Sequence, residues 1–480
     1  MKGEIHRSIK SNFIYNALFQ ILMLIVPLIT TPYISRVLGA ENIGIQSYTN
    51  SIISYFVLFA TCGLNMYGQR EIAYHSESIY EKSRIFWEVS LNKMMFTVLA
   101  LLMYVCFVYQ VIDYKEIFVW QGINLIACAF DISWYFQGIQ DFKRIVMRNA
   151  AVKLIGVACI FSFIHTADDL ALYVILLGST TLFGNLILWV YMRKMLVCVP
   201  LQELNVFRDK RIKLELFAPF IAIQIYTVLD KTMIGIFTGD PAQNGYYEQA
   251  QKVVQMSLTI ITSLGTVLLP NISARFAQRD LQGIRDTVMK AYKFILMCAC
   301  PMTCGLIALA PVFVPWFFGP GFGEVIILMQ LFSLLFIIIS LSNIAGTAVL
   351  TPTNRQNYGT LATIAGAFTN FSLNLILIVK YGAMGAAIAS VFAEFVVTAV
   401  HLYFIRIYVD VKKIISWLLK YLSPAIMIGV FVYLLGNELL SMSVASPLIT
   451  VVQIIFGIVC YVIVLIFIYK ERELTKLGVK

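Results

Sequence analysis

Apolar residues run through this chain in long blocks broken by short polar gaps. A helix that crosses the hydrocarbon of a bilayer needs about 20 apolar residues, and fourteen blocks meet that length. They lie near 12–34, 45–68, 85–109, 117–138, 145–164, 170–192, 214–237, 245–269, 289–310, 325–350, 358–379, 383–405, 417–435 and 448–469. The longest gap, 193–213, is too short to house a soluble catalytic domain. The pattern predicts an all-α polytopic membrane protein of fourteen transmembrane helices. The first block is about twice the length of a signal-peptide core and lacks a small-x-small cleavage site, so it is read as the first span.

Polar residues inside the blocks fall at helical spacing. Asn12, Asn16 and Gln20 share a face of the first block, and Gln46, Asn50, Ser54, Thr61 and Asn65 share one of the second. The seventh block aligns Gln224, Thr227 and Lys231, with Asp230 beside them; the eighth aligns Glu248, Lys252, Gln255, Thr259 and Thr262. Polar groups at membrane depth turn toward protein or water. The stripes therefore predict either a hydrated cavity walled by spans one, two, seven and eight, or hydrogen bonds that only hold helices together.

Charged residues narrow the choice. Asp230 and Lys231 lie about 10 Å inside the outer end of span seven at 1.5 Å per residue, and suit either a mutual ion pair or a binding site. Glu248 and Lys252 have the favourable i,i+4 order of a helical ion pair. Lys153, Asp131 and Glu394 stand alone in spans five, four and twelve, so each needs a partner from another helix or a water-filled face. Arg36 at the outer mouth fits an interfacial anchor as well as a site. Gly382, Ala386 and Ser390, with Gly385 and Ala389, make a face for close helix packing.

An internal repeat emerges when the first span pair is laid on the seventh and eighth. Gly39-Ala-Glu-Asn-Ile-Gly44 matches Gly239-Asp-Pro-Ala-Gln-Asn-Gly245 with one inserted residue. Each reads as a tight outer turn whose glycines accept positive φ. Six spans is an even number, so the copies are parallel. The expected organisation is an N-terminal six-helix bundle at 1–213, a C-terminal six-helix bundle at 214–416, and two extra transmembrane helices at 417–480.

Charge sets the orientation. Of 36 Lys and Arg residues, 28 fall in alternate gaps, 3 in the intervening ones (Arg36, Lys115, Lys380) and 5 inside blocks (Lys93, Lys153, Lys231, Lys252, Lys293). Cytoplasmic loops retain positive charge during insertion, which places the chain in a bacterial cytoplasmic membrane with both termini inside. The net charge of +10 belongs to those loops and reads as topology rather than nucleic-acid binding. With 60% hydrophobic and 13% charged residues the chain is no ordinary soluble globule. The nine cysteines lie in spans or, for Cys198, in an inner loop, and read as packing residues. No His-Glu-x-x-His zinc motif and no Gly-Lys of a phosphate-binding loop is present, so neither a metal nor ATP hydrolysis by this chain is expected. The buried acids are compatible with coupling to a proton or sodium gradient.

Four segments carry a family resemblance: Thr31-Pro-Tyr-Ile-Ser-Arg-Val-Leu-Gly39, Trp134-Tyr-Phe-Gln-Gly-Ile-Gln-Asp-Phe-Lys-Arg-Ile145, Asp230-Lys-Thr-Met-Ile-Gly235 and Tyr381-Gly-Ala-Met-Gly-Ala-Ala-Ile-Ala-Ser390. In order and depth they resemble the bacterial Wzx-type polysaccharide flippases of the multidrug/oligosaccharidyl-lipid/polysaccharide exporter superfamily, from about residue 8 to about 410. Gln140 departs from the acidic residue of many relatives, so no acid-dependent role is carried to it. The resemblance implies a non-enzymatic transporter that takes an undecaprenyl-diphosphate-linked oligosaccharide across the membrane by alternating access. Its expected partners are that lipid, membrane lipids, a polysaccharide polymerase and glycosyltransferases. On this reading Lys231, Lys252, Lys153 and Arg36 receive the diphosphate, and Asn16, Gln20, Asn50, Gln224 and Gln255 line the sugar cavity. Asp230, Glu248, Asp131 and Glu394 tune those cations or carry a coupling ion. A peptidoglycan-precursor flippase and an ion-coupled multidrug exporter remain alternatives. A membrane polymerase or ligase would need a sizeable outer loop, which this chain lacks.

Overall fold

The computed structural model describes residues 2–75, 77–193, 195–205 and 208–476; side chains are described from residue 21, apart from 210, 211, 214–223, 225, 226, 260, 264, 266 and those beyond 467. Among the described residues every regular element is helical. The order is α1 Lys2–Thr61, α2 Leu64–Tyr74, α3 Ile79–Gln110, α4 Lys115–Ala129, α5 Ser133–Gly138, α6 Phe142–Phe163 and α7 Leu170–Met192, then α8 Lys210–Thr238, α9 Pro241–Ala277 and α10 Leu281–Phe318. It continues with α11 Glu324–Ser333, α12 Leu335–Asn343, a π-helical turn Ile344–Leu350, α13 Gln356–Ile405, α14 Val411–Ser441 and α15 Ser446–Lys476. Eleven described segments are long and apolar enough to cross a membrane. The protein is a multi-pass membrane protein.

The blocks and the helices correspond unevenly. Block one and most of block two lie in the single 60-residue run of α1, the end of block two falling in α2, and blocks eleven and twelve lie in the 50 residues of α13. Each run is broken by one glycine, Gly39 at φ 75° and Gly382 at φ 55°. With ψ 172° and −131° these backbones lie in positive-φ space that residues with a side chain rarely enter, at about 1–3 kcal/mol, so glycine marks the turn. Four other helices start on side-chain caps. Ser78, Asp141, Asp280 and Asp410 accept hydrogen bonds from the N–H groups of Glu81, Arg144, Gly283 and Lys413. All four caps lie in gaps that the charge pattern puts inside, where a polar side chain stays hydrated until the helix enters lipid.

The helices gather into two compact units, one of Met1–Ile236 with Asp240–Gly245, the other of Phe237–Gly239 with Tyr246–Lys480. The division expected at 213/214 therefore differs from the contact division, which places α8 in the first unit. Side chains explain the difference. Thr232 Oγ1 lies 2.9 Å from Ser51 Oγ and 3.0 Å from Tyr55 Oη, and Gly235 leaves room for the Tyr48 ring.

The core of the first unit is aromatic. Trp134 stacks on Phe86 with centroids 5.8 Å apart and an interplanar angle of 25°, and Tyr135 and Phe136 are buried beside it. Gly68 of α2 makes this possible, because a Cβ there would lie 2.5 Å from the indole. Gly138 similarly admits Ile72. The Trp-Tyr-Phe-Gln-Gly segment is thus a packing motif that holds α5 on α2. Gly68→Ala is expected to lower stability by about 1–3 kcal/mol through overpacking, with Trp134→Phe in the same chain restoring part of it; thermal unfolding of purified protein measures both.

Candidate functional site

Five helices of the first unit, α1, α2, α4, α7 and α8, enclose a cavity of about 440 Å³. Its polar lining comprises five carboxamides (Asn50, Asn65, Asn124, Asn185, Gln224), three hydroxyls (Ser54, Thr61, Thr181) and the carboxylate of Asp131. A carboxamide offers both donors and an acceptor. The lining can therefore match a neutral polyhydroxylated guest from several sides, and the volume falls within the ~300–1,000 Å³ usual for small-ligand pockets.

One wall is a broken helix. Residues 130–132 interrupt the helix between α4 and α5, in a segment that as a whole is apolar enough to span a membrane. Carbonyls at the end of a helix lack partners within it, and at this depth each must find a donor. The Ala127 carbonyl accepts from Asn185 Nδ2 at 2.7 Å, that of Phe130 from Trp189 Nε1 at 2.8 Å, and that of Asp131 from Lys93 Nζ at 2.8 Å. Lys93, only 1% exposed, also donates to Asn65 Oδ1 at 3.0 Å and lies 3.8 Å from Asp131 Oδ2. Asp131 Oδ1 accepts from the Ser133 N–H at 3.0 Å. Arg148 Nη1 donates to Asn185 Oδ1 at 3.1 Å, tying a second cation to the same wall.

The structure thus brings Asn50, Gln224 and Asp131 together around one cavity, and adds Asn65, Asn124, Thr181 and Asn185. Asp131, which stands alone in its span by sequence, has its partner in Lys93. Lys153 is exposed on α6 and does not line this cavity, and Arg36 is exposed on α1 just before the Gly39 turn. Asp230 is buried and Lys231 half-buried on α8, outside the cavity lining; the Lys231 carbonyl accepts from Asn244 Nδ2 at 2.9 Å. In the second unit Glu248 and Lys252 form the expected i,i+4 pair at 3.9 Å, with Gln255 exposed nearby on α9. Glu394 is half-buried on α13. The side chains of Asn16 and Gln20 lie outside the described residues. No group of three or more metal-ligating side chains occurs among the described residues.

The second unit carries a groove of opposite character. Its volume is about 640 Å³, and its walls come from α9, α10, α12, α14 and α15, including Pro301, Leu306, Phe336, Ile428, Val432 and Ile458.

Comparison with known proteins agrees with this architecture. The family model described as "Polysaccharide biosynthesis protein" matches residues 9–276, and the model described as "Lipid II flippase MurJ" matches 151–453. The chain is 25% identical over 404 residues to an Escherichia coli protein described as "Putative O-antigen transporter", covering 83% of this chain and 97% of that one. It is 25% identical over 251 residues to a "Probable low-salt glycan biosynthesis flippase" of Haloferax volcanii, about half of each chain, 52% and 52%. Among solved structures, the lipid II flippase MurJ in an inward closed conformation superposes with a TM-score of 0.75 at 14% identity, over 96% of this chain and 99% of that one. A multidrug-resistance MATE transporter in an inward-facing conformation gives 0.58 at 12% identity, over 82% and 98%. These structural likenesses speak for the fold. Each of the two family models matches more than half of the chain, which therefore belongs to the polysaccharide biosynthesis protein family and is a transporter rather than an enzyme.

Proposed function

We propose that the protein is a flippase that moves an undecaprenyl-diphosphate-linked oligosaccharide from the inner to the outer leaflet of a bacterial cytoplasmic membrane for surface polysaccharide synthesis. The observation that carries this reading is the 440 Å³ cavity inside a unit of membrane-spanning helices, whose polar lining is carboxamides and hydroxyls with the carboxylate of Asp131 already paired to Lys93. Uncharged sugars exchange water for such groups at little cost, whereas an apolar cationic drug would leave them unpaired. The 640 Å³ apolar groove supports a place for the isoprenoid chain beside α14 and α15. Likeness to relatives described as an O-antigen transporter and a glycan flippase supports the same class of cargo.

On this reading the diphosphate meets Lys231, Lys252, Lys153 and Arg36, because a doubly charged anion leaving water needs compensating charge. Asp230, Glu248 and Glu394 tune those cations or carry a coupling proton or sodium ion. Transport proceeds by alternating access between two parallel six-span repeats. The left-handed glycines Gly39 and Gly239, at φ 75° and 62°, support the repeat. Fourteen crossings follow if α1 and α13 each cross twice about their glycine breaks and α8 crosses once, with both termini inside.

Depleting the protein in its host and mass-analysing the isoprenoid-linked saccharides tests the proposal. Accumulation of one species inaccessible from outside is the expected result, and its mass names the cargo. A peptidoglycan precursor at that mass would favour the second reading, which the family match over 151–453 supports. An unchanged pool with new sensitivity to cationic drugs would overturn both. Lys231→Ala and Lys252→Ala proteins made at normal levels are expected to lose surface glycan; full retention would remove the cation assignment.

A further inference from the structure

The break between α4 and α5 gathers oxygen atoms in a way that the cargo reading leaves unused. Asn65 Oδ1, the Asp131 carbonyl and Asp131 Oδ2 converge on one point from α2 and from the unwound segment. Discontinuous membrane helices use sets of this kind, an unwound backbone carbonyl together with side-chain oxygens, to hold a cation. Here the point is occupied by the Nζ of Lys93, at 3.0, 2.8 and 3.8 Å from the three oxygens. We propose that the Lys93 ammonium is a tethered cation filling a three-oxygen site that, vacated, binds sodium.

Three features support this. Lys93 is 1% exposed, so its charge is tolerable only against a full set of acceptors and a carboxylate. An ammonium has three donors and no acceptor, and the three oxygen atoms that meet it are all acceptors. The longest of the three distances is to the carboxylate. The ammonium, held by its stem, reaches the two neutral oxygens first, whereas a free ion would settle closer to the charge. The other charged group tied to this wall, Arg148, donates to Asn185, which itself holds the Ala127 carbonyl, and adds a longer-range attraction to Asp131. The site is therefore complete without an external metal ion. It goes beyond the proposed transport reaction and holds whatever the cargo is.

The test is thermal unfolding of the purified full-length chain in detergent, in sodium chloride against choline chloride at equal ionic strength. Wild type is expected to show no sodium-dependent rise that Asp131→Asn removes. Lys93→Ala is expected to have a lower midpoint in choline and a saturable upward shift of at least about 2 °C in sodium, absent from the Lys93→Ala/Asp131→Asn double variant. If Lys93→Ala is not recovered folded, Lys93→Gln, which keeps a donor toward Asn65, is measured in the same way. A folded variant indifferent to sodium overturns the proposal, as does a wild-type midpoint that rises with sodium and loses that rise in Asp131→Asn. Failure of both single variants to fold even when prepared in sodium overturns it too, since the ion would then be no substitute for the ammonium.

Discussion

Asp131→Asn is expected to destabilise the protein by about 3 kcal/mol, the largest loss from any single charge removed within the first unit. The carboxamide keeps an acceptor for the Ser133 N–H, so the change isolates the charge. Lys93 is then left with its ammonium 1% exposed and no counter-ion. Breaking a buried pair from one side costs about 3–5 kcal/mol, and the lower end applies because Asp131, 24% exposed, faces the cavity and is partly screened. Replacing both partners, as in Lys93→Met/Asp131→Asn, is expected to recover part of the loss, because no charge is then stranded although the Asp131 carbonyl and Asn65 Oδ1 lose their donor. A double-mutant cycle on thermal unfolding measures the coupling, and additive single effects would count against a direct pair. By contrast the Glu248–Lys252 pair, at 3.9 Å on one helix and partly exposed, suits the small coupling of a surface pair.

The second large effect concerns the two glycine turns at 39–44 and 239–245. Gly44 faces the carbonyl of Pro241, where a Cβ would sit 1.7 Å from the oxygen, and Gly245 faces the carbonyl of Ala40 at 2.0 Å. Both obstacles are backbone, so no rotamer change relieves them. Gly44→Ala and Gly245→Ala are each expected to cost about 3 kcal/mol, the upper end of overpacking, and to lower the yield of folded protein. Gly39→Ala meets nothing within 4 Å, and its cost, about 1–3 kcal/mol, comes from the positive-φ backbone alone. Gly156→Ala, in an open helical position, is the control and is expected to be neutral or slightly stabilising. The ranking in thermal midpoints, with Gly44 and Gly245 below Gly39 and Gly39 below Gly156, separates close approach from backbone strain.

Much of this architecture was legible in the chain. Apolar length located the helices, and the glycines of those two turns carried their own signal, since Gly39 and Gly239 both adopt positive φ. Of the stripe Gln46, Asn50, Ser54, Thr61 and Asn65, all but Gln46 line one cavity, although the chain turns at Cys62 and Gly63 and puts Asn65 on the next helix. The break at 130–132 was not legible. It contains neither proline nor glycine, and Phe-Asp-Ile reads as part of a continuous apolar block. The partnership of Lys93 with Asp131 was hidden for a related reason. The two residues lie 38 apart on separate segments, and their meeting depends on how α3 packs against the broken helix. Asn185, one of few polar residues in an otherwise apolar span, was the available hint that a freed carbonyl stood opposite.

The placement of α8 in the first unit bears on how the protein is made. Synthesis delivers the N-terminal helices first, yet the hydroxyls of Ser51 and Tyr55 meet Thr232 only after some 180 further residues have left the ribosome. Until then the second half of α1 presents a polar face with its final partner missing. The nascent chain must shelter that face in provisional contacts or within the insertion machinery. Its earliest native-like assembly is therefore one that already contains α8, rather than the six-span half that the repeat suggests.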